Sequence, residues 1–444
     1  MISARRSALA AALVFALLLA PAALVAASQP IDLATTLRLA GADNLSVKIA
    51  REKLAEARAE ADVVRDRMFP WVTAGLGFRQ HENNIQTVEG RIIDADKRSF
   101  STGIGLNAQW DFGEVYYQNL AAQQRVRAEE AVLATQRQAT AYEAAAAYFE
   151  LLRAHATVGI ATEALALGER HYVQIQTTAS AGITFAGDVQ RVATARARSE
   201  IALQQASEQT RVAAARLAEI LKLDPTVELT PNPTELLPVT LVPMTSDLAA
   251  LVARALAARP ELTQANARLA AVRELHNGAR TAPLIPVVSA QANIGGLGGD
   301  TNLRSWSHSF DVSNDYALGL SWRIGPGGLF DRNRIRGTES RLRRGELELE
   351  QTRDAIRRQV VEFSARAKSL FAQLTLLRAA VDSAIKTAEL SRDRRAQAVS
   401  NPLEDLLAEE ELTRARRDYV AAITQFDQSQ YALLRMLGGE GPLK

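Results

Sequence analysis

Hydrophobic and polar residues alternate one by one along four stretches of the chain. Across 100–112, Phe100, Ile104, Leu106, Ala108, Trp110 and Phe112 are apolar, while Ser101, Gly103, Gly105, Asn107, Gln109 and Asp111 are polar or small. A period of two marks a strand with one greasy and one wet face. Soluble strands run about 5–6 residues, and this one is far longer. It suits a tilted strand crossing an outer membrane, which needs roughly 9–11 residues. The pattern returns at Val72, Ala74, Leu76 and Phe78, at Val288, Ala290, Ala292 and Ile294, and at Tyr316, Leu318, Leu320, Trp322 and Ile324. Four strands cannot close a barrel, because the smallest have about 8 and an open edge in hydrocarbon strands backbone groups at several kcal/mol each. Transmembrane strands here therefore demand an oligomer.

Between the strands the period changes to that of helices. Residues 31–68 predict one amphipathic helix, stopped by Pro70. A strand pair follows over about 71–112, its strands joined by a polar loop through Lys97, and Gly113 breaks the sheet. A helical pattern then covers about 116–179, roughly 95 Å of helix. Leu151, Val158, Leu165 and Tyr172, interleaved with Ala154, Ala161, Gly168 and Ile175, give it a coiled-coil seam. Ala181-Gly182-Ile183-Thr184 reverses the chain, and Asp188 opens a return helix over about 187–223. Residues 224–245, with five prolines, read as a linker.

The second half echoes the first at offsets from 212 (Trp110 to Trp322) to 217 (Asp188 to Asp405). This predicts an internal duplication of repeats 28–223 and 246–438, with a tail at 439–444. The second copy has a strand pair at about 287–324 and a long helix at about 332–398. Its seam runs Val360, Phe363, Ala367, Leu370, Leu374, Leu377, Val381, Ala384 and Ala388. Asn401-Pro402 makes its turn, and a return helix covers about 403–437.

Composition narrows the setting. With 444 residues, 47% hydrophobic but only 5% aromatic, the chain favours thin alanine-leucine helical layers over a bulky core. Arg5 and Arg6, the apolar run 8–20 and small residues at 26–28 read as a secretory signal over 1–27; the competing reading is a membrane anchor. Zero cysteines exclude disulfides, cysteine metal sites and lipidation on cysteine. Basic and acidic residues nearly balance, 52 against 50, so bulk charge gives no case for nucleic acid. His81, His155, His171, His276 and His308 have no metal spacing, no phosphate loop is present, and no cofactor is expected. Gly295, Gly296, Gly298 and Gly299 precede no predicted helix, and 300–314 reads as a polar exterior loop.

Strands, proline junctions and seams together make the mature chain resemble the TolC-type outer-membrane efflux family (outer membrane factors). The likeness rests on the twofold repeat, on Ala181-Gly182 followed by Asp188-Val189-Gln190, and on Asp405-Leu406-Leu407, Ala415-Arg416, Tyr419, Ala422, Leu433-Leu434 and Leu437-Gly438. The expected fold class is α plus transmembrane β: four strands per protomer in a 12-stranded barrel of a trimer, and helical hairpins forming a periplasmic α-barrel. The resemblance implies a homotrimer in the outer membrane of a Gram-negative bacterium, in contact with outer-membrane lipid. It also implies a periplasmic adaptor (membrane fusion) protein and an inner-membrane efflux pump or ABC exporter as partners. The chain would be a passive exit duct and not an enzyme.

Candidate sites follow from this arrangement. Pro70, Gly113, Pro286, Gly325 and Pro326 are the expected barrel–helix junctions, where proline and glycine supply unusual φ angles. Trp110, Phe112 and Trp322 are expected at the inner membrane interface, the competing reading being core tryptophans of a soluble sheet. At the helical tips Asp188, Glu404, Asp405 and Glu409 are gate or selectivity candidates, since inward carboxylates repeated around a trimer would attract cations. Asp188 and Asp405 equally suit helix capping. Gly182, Ile183, Thr184, Ser400, Asn401 and Pro402 are candidate adaptor contacts. The second turn, Val399-Ser400-Asn401-Pro402, lacks the family's usual glycine and nearby arginine, so no salt-bridge latch is carried over. Two other classes compete with the duct. One is an exported coiled-coil structural or adhesive protein with soluble hairpins; the other, a secreted hydrolase, has no visible nucleophile and base.

Overall fold

The structure is a computed structural model that describes residues 29–182, 184–300, 310–396 and 402–439. The expected signal segment, Ile183, His308, Ser400, Asn401 and most of the C-terminal tail lie outside the described residues. The chain divides into two units, one of Ser46–Arg137 and Ala249–Val360, the other of Met1–Leu45, Gln138–Leu248 and Val361–Lys444.

The first of these contains a four-stranded antiparallel sheet. Its strands are β2 (Trp71–His81), β5 (Lys97–Trp110), β7 (Val287–Asp300) and β8 (Phe310–Ser321), in the order β2-β5-β7-β8. Register aligns Ala74, Ile104, Ile294 and Asn314 across the sheet, and Val72, Leu106, Ala292 and Tyr316 two residues on. The even-numbered apolar residues therefore share one face. That face is bare: Leu318 is 81% exposed and Leu76 78%. The other face is polar and small, with Gly75, Gly103, Gly295 and Ser313 in one row. An eleven-residue strand tilted by 45° rises about 26 Å, the height of a barrel's apolar band.

Several boundaries differ from those expected. β5 ends at Trp110, and Phe112 is the first residue of helix α3 (Phe112–Ser180) instead of the last of the strand. The cause is Asp111, whose Oδ1 accepts from the Glu114 N–H at 2.9 Å and caps the helix. β8 begins at Phe310, so residues 310–314 are strand and not exterior loop; Phe310 and Val312 alternate there with Asp311 and Ser313. It stops at Ser321, leaving Trp322 and Ile324 beyond the sheet. The loop after β2 holds a small hairpin, β3 (Asn84–Gln86) with β4 (Ile92–Asp94). The glycine run 295–299 lies inside β7.

The helix expected over 31–68 is two, α1 (Leu33–Asp43) and α2 (Leu45–Asp66), parted at Asn44 (φ −59, ψ 132). Its second-half counterpart is α5 (Leu248–Ala258) and α6 (Pro260–Thr281). There the break is proline at the first helical position, which holds Arg259 extended. A 3-10 turn, Ala282–Leu284, ends this stretch. The order helix, helix, strand, strand, long helix, return helix thus occurs twice.

The other unit is mainly helical. It holds the later part of α3, α4 (Ala186–Leu221), the later part of α7 (Arg332–Ala396) and α8 (Pro402–Met436). Of the expected seams, Leu151, Ala154, Ala161 and Ile175 of α3 are buried, as are Leu370, Leu374, Ala384 and Ala388 of α7; α8 buries Leu412, Phe426 and Leu433. The proline-rich stretch is not a bare linker. Its Leu229–Pro231 forms β6, parallel to β1 (Gln29–Ile31), and Asn232 N–H donates to the Ile31 carbonyl at 2.8 Å.

Candidate channel wall and entrance

At the sheet's end the two tryptophans do matching work. Trp110 Nε1 donates to the Met68 carbonyl at 2.8 Å and Trp322 Nε1 to the Leu284 carbonyl at 3.3 Å. Each indole ties the end of an outgoing strand to the segment that feeds the preceding strand. Phe112 stands beside this level, 45% exposed on the helix. Pro70 and Pro286 each sit directly before a strand, where a fixed φ and a missing N–H do no harm.

The glycines at this level serve two different needs. Gly325 (φ +103) and Gly327 (φ +78), flanking Pro326, lie in the left-handed region and make the reversal before α7. Gly113 does not; a Cβ there would stand 2.6 Å from the Ala282 carbonyl oxygen. Its role is close approach of backbones, not an unusual φ, which corrects the expectation for that junction. Asp331 closes the reversal by accepting from the Arg334 and Gly327 N–H groups at 2.9 and 2.8 Å, and those bonds hold its carboxyl below the usual range. Arg334 in turn pairs with Glu114 at 2.6 Å.

The tips lie in the mainly helical unit. Gly182 (φ +75) ends α3, and Thr184 Oγ1 donates to Thr178 Oγ1 at 2.8 Å across the turn. Phe185, 73% exposed, precedes α4. Asp188 is in the first turn of α4 and binds Arg191 at 3.1 Å. At the second tip Pro402 opens α8. Glu404 pairs with Arg394 at 2.6 Å, and Glu409 with Arg392 at 2.7 Å. Arginines therefore do stand beside this turn, contrary to the sequence reading; they precede it on α7. Asp405 is 1% exposed, packed within the hairpin rather than at its surface. Ala384, Ala388, Ala408 and Leu412 form the apolar cluster of this tip. Among the described residues, no group of three His, Cys, Asp or Glu side chains is placed to hold a metal. No described helix is long and apolar enough to cross a membrane, which says nothing of strands.

The sequence pattern of the outer membrane efflux protein family matches residues 36–221 and 251–439. The chain belongs to that family. Solved structures agree in fold. A membrane protein from Pseudomonas aeruginosa is 21% identical with a TM-score of 0.75, the match covering 91% of this chain and 93% of that one. The outer membrane protein VceC of Vibrio cholerae is 19% identical with a TM-score of 0.73, over 92% and 96% of the two chains. The CmeC outer membrane channel of Campylobacter jejuni is 14% identical at 0.76, over 92% and 86%. No curated protein matches the chain. Its fold is thus that of the α/β-barrel channels of this efflux family.

Three features of this family member escaped the sequence reading. Asp111 was readable, because Asp-Phe-Gly-Glu has the D-x-x-E form of a capping box. The Arg392–Glu409 pair was not, since its partners lie 17 residues apart and meet only once the turn is placed. The third is a clasp on the proline-rich stretch. Asp427 Oδ1 of α8 accepts from the Val239 N–H at 2.7 Å, and Gln430 Oε1 accepts from the Leu241 and Val242 N–H groups at 3.1 and 2.9 Å. Nothing in a polar residue at helical spacing announces that it will be fully buried.

Proposed function

We propose that the chain is a passive outer-membrane exit duct of a tripartite efflux or type I secretion system. Three copies each contribute four strands to one closed barrel, and their helical hairpins line a conduit through the periplasm. The observation that carries this reading is the open sheet. Its four strands of at least eleven residues carry one mainly apolar face, on which Leu76, Ile104, Ile294 and Leu318 are exposed, and among the described residues nothing pairs with the outer edges of β2 and β8. In water such a face and such edges would aggregate; in lipid they require closure by further strands. Because neighbours alternate in direction across four strands, the outer edge of β8 meets the β2 of a second copy antiparallel, and three copies give an even-numbered barrel.

A duct supplies no energy and no chemistry, so the reading includes a periplasmic adaptor and an inner-membrane pump or ABC exporter. The tip turns, with Gly182, Thr184 and Pro402, are the adaptor contacts. Of the tip carboxylates, Asp188, Glu404 and Glu409 act within ion pairs whose arginines narrow the entrance, and Asp405 acts from inside the hairpin. Purified protein in planar bilayers is expected to give steady unitary conductance and to run as a trimer on unheated gels. A monomer released from cells without detergent, and silent in bilayers, would leave the exported coiled-coil protein as the better reading.

A further inference from the structure

We infer that the reversal before α7 and the first turns of that helix form a recognition surface for anionic phospholipid headgroups of the inner leaflet. The inference rests on the duct reading for its orientation, with the helix ends of the strands on the periplasmic side.

Apolar side chains stand exposed at this surface, just past the end of the sheet. Trp322 and Ile324 are 50% and 73% exposed. Phe330 is 80% exposed in a left-handed conformation (φ +68), which a bulky residue adopts only where its surroundings impose it. The surroundings here are a tied loop: Gly325 N–H donates to the Leu329 carbonyl at 2.9 Å, Leu329 N–H to the Arg323 carbonyl at 2.8 Å, and Gly327 N–H to Asp331 at 2.8 Å. A braced loop that presents a phenyl ring to the outside fits an apolar or interfacial medium next to it.

Charge identifies that medium further. Between 330 and 344 stand six arginines against two acids, Asp331 and Glu339. Asp331 is engaged by backbone N–H groups and Glu339 by Arg343 at 3.1 Å. Arg334 is bound to Glu114. Arg332 and Arg336, one turn apart on one helix face, are exposed and have no carboxylate partner among the described residues. They lie within about 6 Å of helix rise from Phe330's loop, the depth of a headgroup layer. Guanidinium groups bind phosphate in fork geometry, and a phosphate-bearing lipid with net negative charge is the partner that both the apolar rim and the unpaired arginines fit.

The test uses the full-length trimer in nanodiscs of phosphatidylcholine with a minority of phosphatidylglycerol, the retained lipids being counted by native mass spectrometry. Wild-type protein is expected to retain phosphatidylglycerol preferentially. Arg332→Gln with Arg336→Gln should lower that preference about tenfold, while Arg366→Gln with Lys368→Gln, further along α7, should not. The chain has no cysteine, so a fluorophore on Phe330→Cys reports from one place. Spin-labelled phosphatidylglycerol should quench it. Equal lipid retention by wild type and the 332/336 variant overturns the proposal, as does a label at 330 that lipid leaves unquenched. So does a double variant that alters conductance while lipid retention stays constant, because those arginines would then face the conduit. Loss of the trimer on Phe330→Ser would make the ring a subunit contact and overturn its part. A failure of the duct reading looks different: no trimer and no conductance in the wild-type protein.

Discussion

A carboxylate removed from water must be neutralised or fully bonded, and Asp427 is only half bonded. It is 0% exposed; one oxygen accepts from the Val239 N–H, while Oδ2 has no hydrogen-bond partner. Burial pushes its pKa up to about 7, against the smaller lowering effect of that bond. Its neighbour Tyr431 is pushed up to about 12, by burial first and then by the charge of Asp427. Below about pH 4 both folded and unfolded chains hold the proton, and Asp427 costs nothing. Between about 4 and 7 the unfolded chain has ionised and the folded one has not, so stability falls as pH rises, levelling above about 7. Asp427→Asn keeps an oxygen for Val239 and removes the charge. The variant is expected to gain stability over the parent between pH 5 and pH 8, by an amount on the order of 2 kcal/mol, read from melting curves at each pH. A gap that stays constant across that range would mean the acid is already neutral or better solvated than its burial implies.

At the scale of elements, periodicity carried the long pieces, and contacts between distant residues decided the ends. The seam of α7 was legible because nine apolar residues step by three and four, and six of them, Val360, Ala367, Leu370, Leu374, Ala384 and Ala388, are buried; Leu349 and Ile356, ahead of that run, are buried too. The parting of α1 from α2 was not. Asn44 is an acceptable helix residue, and what turns it out is its Nδ2 bond to the Ile220 carbonyl at 3.0 Å, a contact of 176 residues' separation. Pro260, by contrast, announced the second break locally. β1 and β6, three residues each, fall below any periodic signal and exist by pairing with one another. The tip of α7 and α8 belongs to the same class. Arg394–Glu404 is an exposed pair and Arg392–Glu409 is open on the arginine side only, Glu409 being 13% exposed; pairs with this much access to water contribute about 0–1 kcal/mol each. Reversing both arginines, Arg392→Glu with Arg394→Glu, is therefore expected to change the melting temperature little. Twofold repulsion at each tip should nonetheless spread the entrance, and single-channel conductance and cation preference should both rise. Unchanged currents would reduce these pairs to surface decoration.

For the whole molecule, everything turns on what satisfies the two outer edges of the sheet. On their open edges β2 offers the free backbone groups of about every second one of its eleven residues, and β8 those of about every second one of its twelve. Buried without partners in hydrocarbon, even a few would cost more than a domain's usual net stability of about 5–15 kcal/mol. A second copy of the chain is the economical partner, since an antiparallel β8-to-β2 junction repeats the pairing already made inside the sheet. The stagger that barrel closure imposes leaves the register across this junction open, so it is best found by scanning. With Leu318→Cys fixed on the apolar face of β8, cysteines placed in turn at Val72, Ala74, Leu76 and Phe78 share that face on β2. Disulfides need Cα atoms within roughly 4.4–6.8 Å. One position, or two adjacent even positions, should cross-link on oxidation into a ladder ending at a covalent trimer. Odd positions such as Thr73 or Gly75, on the opposite face, should not. A ladder that stops at dimer would point to a twofold pairing of edges, and the closed twelve-stranded barrel would have to be abandoned.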